Sequence, residues 1–156
     1  MRLFAMCMLL TIVVWGTVSA QNASKPGLVA NLSNSAVSDG CGCYFKFRGT
    51  PLRVDRYMFF SLYEEDKKAA WMNVGGRDVE LTLVKKTGQN GKLERVGSRS
   101  KETYSSGDIT VTATYAVTHV CARSDENCES TGYDVTFVVK KGLKSQVVKA
   151  VGYCGC

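Results

Sequence analysis

The chain has 156 residues, 45% of them hydrophobic and 22% charged, and a net charge of +6. That is enough chain for one domain with a real core, so its cysteines reinforce a core instead of replacing one. The Lys and Arg residues are dispersed with no block of five or more, which excludes a basic tail. Dispersed positive charge fits weak attraction to anionic surfaces such as lipid headgroups, glycans or nucleic acid, or solubility alone.

Residues 1–20 read as an export signal. Arg2 gives a positive start, Leu3 to Trp15 an apolar run broken only by Thr11, and Val18-Ser19-Ala20 a small-residue cleavage site. The apolar run is shorter than the ~20 residues that span a bilayer, and no later stretch approaches that length. The expectation is a signal peptide followed by a secreted, non-membrane-spanning protein, periplasmic or extracellular. Arg2 is the only charged residue of 1–20, so residues 21–156 carry +5. Cys7 leaves with the signal, and six cysteines remain in a compartment that permits disulfides.

Residues 21–40 are small and polar and read as a flexible leader. They hold two Asn-X-Ser sequons, at Asn22 and Asn31, which arise easily by chance in Asn/Ser-rich sequence. From Cys41 the pattern is of strands: Cys43 to Arg48, Tyr57 to Leu62 and Ala69 to Val74. Between the last two, Leu62 to Ala70 suits one helical turn, with Glu64-Glu65-Asp66 ahead of Lys67-Lys68. Gly75-Gly76 turns the chain into a strand where Val79, Leu81 and Leu83 alternate with Asp78, Glu80 and Thr82. Asn90-Gly91 predicts a further reversal, into a short strand at Lys92 to Val96.

Asp108 to Val120 is the clearest element. Ile109, Val111, Ala113, Tyr115 and Val117 form an apolar face, backed by a face rich in threonine. Tyr133, Val135, Phe137 and Val139 alternate in the same way, and the two runs predict an antiparallel hairpin across a polar loop. Ser145 to Tyr153 is the last strand. The fold class is therefore all-β: a single antiparallel β-barrel or sandwich of about eight strands over residues 41–156, stapled by disulfides.

Two Cys-Gly-Cys tripeptides, 41–43 and 154–156, bracket this domain. Residues i and i+2 of a strand stand about 6.6 Å apart, too far for a disulfide within an extended tripeptide. Tripeptides on neighbouring strands can bond each other. Antiparallel strands give Cys41–Cys156 with Cys43–Cys154, and parallel strands give Cys41–Cys154 with Cys43–Cys156. Cys121 and Cys128 flank a six-residue loop and pair locally. The rivals are tripeptides that close on themselves as reducible bonds, or four thiolates holding zinc or copper(I). One residue between cysteines is a poor match to zinc spacing, and structural disulfides are the reading adopted.

Nothing singles out a reaction. His119, the only histidine, shares a face with Cys121, but that cysteine already has a partner in Cys128. Glu64, Glu65 and Asp66 read as a solvated turn. Trp71 with Lys67, Lys68 and Arg77 is the best candidate binding surface, Trp and Arg being enriched at binding hot spots. The competing reading puts Trp71 in the core. The threonine face of 110–118 could meet something flat, such as a glycan or another sheet. The sequence thus predicts a non-enzymatic binding or inhibitory module acting on a protein or an anionic cell-envelope component. It calls for no cofactor, no metal and no specific nucleic acid. The alternative is a thiol-redox or metal-handling protein built on the two Cys-Gly-Cys motifs.

Overall fold

The computed structural model describes residues 27–33, 40–51, 56–62, 69–88, 95–122 and 128–156. Nine strands lie within them: β1 Val29–Ala30, β2 Gly42–Phe47, β3 Phe59–Leu62, β4 Ala69–Val74, β5 Asp78–Gly88, β6 Arg99–Ser106, β7 Ile109–His119, β8 Ser130–Lys141 and β9 Lys144–Gly155. No helix occurs among the described residues. From β2 onward each strand pairs antiparallel with its neighbour in the chain, and β9 returns to pair with β2. The ring is closed and runs strictly up and down, which removes open sheet edges. Of the two architectures the alternation allows, the barrel is the one formed.

β1 lies outside the ring. Val29 and Ala30 pair with Val74 and Asn73, the end of β4 that β3 leaves uncovered. Residues of the expected leader are therefore built into the domain. The Val29 amide donates to Gln146 Oε1 at 3.1 Å, and the Gly75 amide donates to the Leu28 carbonyl at 2.7 Å. Asp78 accepts from the Ser33 hydroxyl at 2.7 Å and from Asn73 Nδ2 at 2.7 Å. These bonds pin residues 28–33 across the end of the barrel.

Inward side chains follow the strict alternation of the strands. Ile109, Val111, Ala113, Tyr115 and Val117 of β7 and Tyr133, Val135, Phe137 and Val139 of β8 all lie in the core. The predicted hairpin is present, with Val111 opposite Val139 and Tyr115 opposite Val135. Phe45, Phe59 and Phe137 fill the middle, with ring centroids 4.9–6.0 Å apart. Tyr104 meets Phe59 edge-on at 5.4 Å and Tyr115 meets Phe45 at 5.7 Å. An eight-stranded barrel is just wide enough for side chains to fill it. With six aromatic rings inside, the lumen is a packed core.

Two expectations change, and a third falls largely outside the described residues. The Lys92 to Val96 strand does not form where described: Val96 lies in a turn closed by the Ser98 amide on the Arg95 carbonyl at 2.9 Å. The strand there is β6, beginning at Arg99. Its inward positions are Ser100, Glu102, Tyr104 and Ser106, so it lacks the apolar alternation that marks a half-buried strand. Residues 63–68, the expected helical turn, lie outside the described residues, but Leu62, Ala69 and Ala70 beside them are strand. Trp71 does not fill the core: Ala70 and Met72 point inward on β4, and Trp71 faces out opposite Glu80.

Candidate functional site

The closing seam between β9 and β2 organises the outer surface. In register, Cys43 faces Cys154 and Tyr44 faces Tyr153. Cys43–Cys154 and Cys41–Cys156 are bonded, with Cα–Cα distances of 3.9 and 4.4 Å, as the antiparallel alternative requires. Cys43 and Cys154 pack against the core, so their neighbours one step along the strands face outward. Gly152, opposite Phe45, makes the close approach possible. A Cβ there would collide with the Tyr44 carbonyl oxygen and lie 2.7 Å from Phe45 Cδ1.

Because faces alternate, the seam carries a row of rings on its outside. Tyr44 meets Tyr57 at 5.2 Å, Tyr153 at 5.4 Å and Phe60 at 4.9 Å, and Phe60 stacks on Trp71 at 5.6 Å. The row runs across β9, β2, β3 and β4. Phe60 is buried beneath its neighbours, while Tyr153 is 40% exposed. Tyr44, Tyr57 and Tyr153 wall a groove of about 480 Å³ that extends over Val151 and Gly152 to Asp134. Lys46 lies in it, nearly buried, with Nζ 4.9 Å from the Tyr57 ring centroid, a cation–π contact. Asp134, at the far rim, is paired with Arg48 at 2.6 Å. The groove thus presents tyrosine rings and phenol hydroxyls, with the Tyr44 hydroxyl donating to the Gly40 carbonyl and the Lys46 ammonium held against Tyr57.

A second polar cluster lies inside the barrel mouth at the disulfide end. Glu102 accepts from the Tyr104 hydroxyl at 2.6 Å and pairs with Lys86 Nζ at 2.9 Å. The Tyr104 and Tyr115 hydroxyls are 3.5 Å apart. Burial pushes both phenols well above their ordinary pKa, and the Glu102 carboxylate adds to the shift. The mouth encloses only about 140 Å³, and both oxygens of Glu102 are engaged. This is a place for a few waters, each occupying about 30 Å³.

The candidate residues of the sequence reading separate. Trp71 belongs to the ring row. Arg77 is exposed in the turn between β4 and β5, three positions from Glu80, the partner of Trp71, or roughly 10 Å along the strand. Lys67 and Lys68 lie outside the described residues, as do Glu64, Glu65, Asp66 and Asn22. His119 is exposed at the end of β7, with Nε2 3.8 Å from Cys128 Sγ. Cys128 is bonded to Cys121, Cα–Cα 5.5 Å, so no free thiol stands beside the imidazole. All six cysteines from Cys41 onward are in disulfides. Among the described residues no three His, Cys, Asp or Glu side chains converge as a metal site would require.

Sequence reasoning missed Tyr44, Tyr57 and Tyr153. The signal lay in the cysteines: once Cys43 and Cys154 bond, Tyr44 and Tyr153 must sit side by side on the opposite face. No protein-family model, curated protein or solved structure matches the chain.

Proposed function

We propose that this protein is a non-enzymatic binding module that acts outside the cytoplasm and holds a cell-envelope or extracellular component in the tyrosine groove. The observation that carries the reading is the ring row: three tyrosines around a 480 Å³ concavity on a covalently closed scaffold. That volume falls in the usual range for ligand clefts. Tyrosine gives large contact area with few rotatable bonds and keeps a hydroxyl for hydrogen bonding. A stapled barrel holds those rings in place before the ligand arrives, which lowers the ordering cost of association. Three disulfides fit an oxidising, exported environment.

The test uses Tyr57→Ala/Tyr153→Ala. Neither ring belongs to the core, so melting should stay close to wild type. Trp71 is the only tryptophan outside residues 1–20 and connects to the groove through Phe60 and Tyr44, so its emission reports occupancy. Envelope extract, fractionated over immobilised protein, should yield a component that shifts this emission in wild type and not in the double variant. Equal retention by both proteins, or multiple turnover of the retained component, sinks the reading.

A further inference from the structure

We infer that the ligand of the groove is an acidic glycan, a chain of sugars bearing carboxylate or sulfate groups, and that its charged part lies on the threonine face beside the groove. This rests on the groove being the binding site, and it adds the class of ligand.

The register lines up Lys101, Thr114, Thr136 and Lys149 in one outward row across β6, β7, β8 and β9. The adjacent row is Arg99, Ala116, Asp134 and Val151, continued by Lys46 on β2. Between them lies a trough of about 340 Å³, floored by Thr114, Ala116 and Thr136. Arg99 stands on one bank, and Arg48 and Lys149 on the other. Neighbouring strands are spaced about 4.8 Å apart, so the banks face each other across roughly 14 Å.

Charge separates this face from an ordinary solvated sheet exterior. The one carboxylate in the trough, Asp134, is neutralised by Arg48 at 2.6 Å. Arg99, Lys101 and Lys149 are exposed and have no carboxylate partner among the described residues. Positive potential is therefore focused over a floor of small side chains and hydroxyls, where a chain can lie flat. Asp134 borders both the trough and the tyrosine groove, so the two adjoin. Rings that accept the apolar face of a sugar, hydroxyls that match its hydroxyls and cations on both banks describe an acidic polysaccharide. A lipid surface would call for a large exposed apolar anchor here, and the large apolar residues of the trough lining, Tyr115 and Val135, are buried. Nucleic acid would need open ring faces along the charged track for its successive bases, and the trough floor of Thr114, Ala116 and Thr136 offers none.

The test measures binding of the full mature protein to four probes by calorimetry at two salt concentrations. The probes are a sulfated oligosaccharide, a polyuronate oligosaccharide, a neutral glucan oligosaccharide and a single-stranded oligonucleotide. At least one acidic oligosaccharide should bind, more weakly at high salt, and the neutral one should not. Arg99→Glu/Lys149→Glu removes two attractions and adds two repulsions, which at the weight of exposed ion pairs lowers affinity roughly 10- to 30-fold with melting unchanged. Failure of both acidic oligosaccharides to bind overturns the inference, as does tighter binding of the oligonucleotide. If Tyr57→Ala/Tyr153→Ala abolishes binding of the envelope component and the charge reversal does not, the glycan inference falls and the groove stands. The opposite pattern removes the groove.

Discussion

The two seam disulfides should be strongly non-additive in stability. They span 115 and 111 residues, yet each closes the same loop. In the chain-entropy model whichever bridge is present alone restricts the unfolded chain by about 4.8 kcal/mol. With one in place, the other closes only the small ring formed by the two tripeptides, worth about 2 kcal/mol. Cys41→Ala/Cys156→Ala should therefore cost about 2 kcal/mol. Cys43→Ala/Cys154→Ala should cost somewhat more, because those side chains also pack on the core. Removing all four should cost about 7 kcal/mol, which leaves a coupling near 3 kcal/mol between bridges. Guanidinium unfolding of the three variants measures this, and the denaturant slope should rise only in the fourfold variant, whose unfolded chain is no longer tied. The single-pair variants decide the matter even if the fourfold variant is too unstable to melt cooperatively. A loss of 4 kcal/mol or more from Cys41→Ala/Cys156→Ala alone would refute the shared-loop argument.

Two further expectations concern the interior. Val111 is fully buried, so Val111→Asp places an unpaired carboxylate among Ala113, Phe137 and Val139. It should cost more than about 4 kcal/mol, and near-wild-type melting would contradict the placement of that face. Tyr104 and Tyr115 stay protonated in the fold because burial raises their pKa values. The unfolded chain releases those protons above pH ~10. The folded state then binds more protons than the unfolded one, so stability is intact below pH ~10 and falls as pH rises beyond it. The slope should approach about 1.4 kcal/mol per pH unit for each tyrosine, and Tyr115→Phe should halve it. Phenolate absorbance that rises for all seven tyrosines ahead of unfolding would contradict this.

The fold was legible where one face of a strand is apolar and the other is not. β7 and β8 meet that condition from Ile109 to Val117 and from Tyr133 to Val139, and their faces and hairpin follow from alternation, though the register shift between Val117 and His119 does not. β6 does not, because the barrel is polar near its mouth: Glu102 finds Lys86 and Tyr104 there, and a lone sequence cannot show such pairing. β1 was hidden for another reason. Two residues pair only because β3 stops at Phe59, opposite Met72, and leaves the end of β4 uncovered. Trp71 was ambiguous because an aromatic on a strand fits either side of a barrel wall. Its side is fixed by Ala70 and Met72, which alternate with it and are buried. The tyrosine groove joins residues more than a hundred positions apart, and only the cysteine pairing carries that long-range information.

That pairing also connects stability to the site. A barrel that closes by joining β9 to β2 is weakest in specification at that seam, where the partners are farthest apart in sequence. A slip of β2 by one residue there would turn Tyr44 inward and send Phe45 to the surface. Cys43–Cys154 forbids the slip, since those two residues bond only in the register that sets Tyr44 opposite Tyr153. Gly152 acts toward the same end, because the strands approach too closely at Tyr44 for any side chain to be accommodated. The cysteines point in and the tyrosines point out, so the covalent frame can fix the outer groove without occupying any of its surface. Reduction should therefore disturb ligand binding before it unfolds the β7–β8 hairpin, whose strand pairing lies away from the seam even though Tyr115 and Phe137 also pack on Phe45. Trp71 emission and the hydrogen-exchange protection of β7, followed together during stepwise reduction, separate the two events. Simultaneous loss would mean that the frame serves global stability alone.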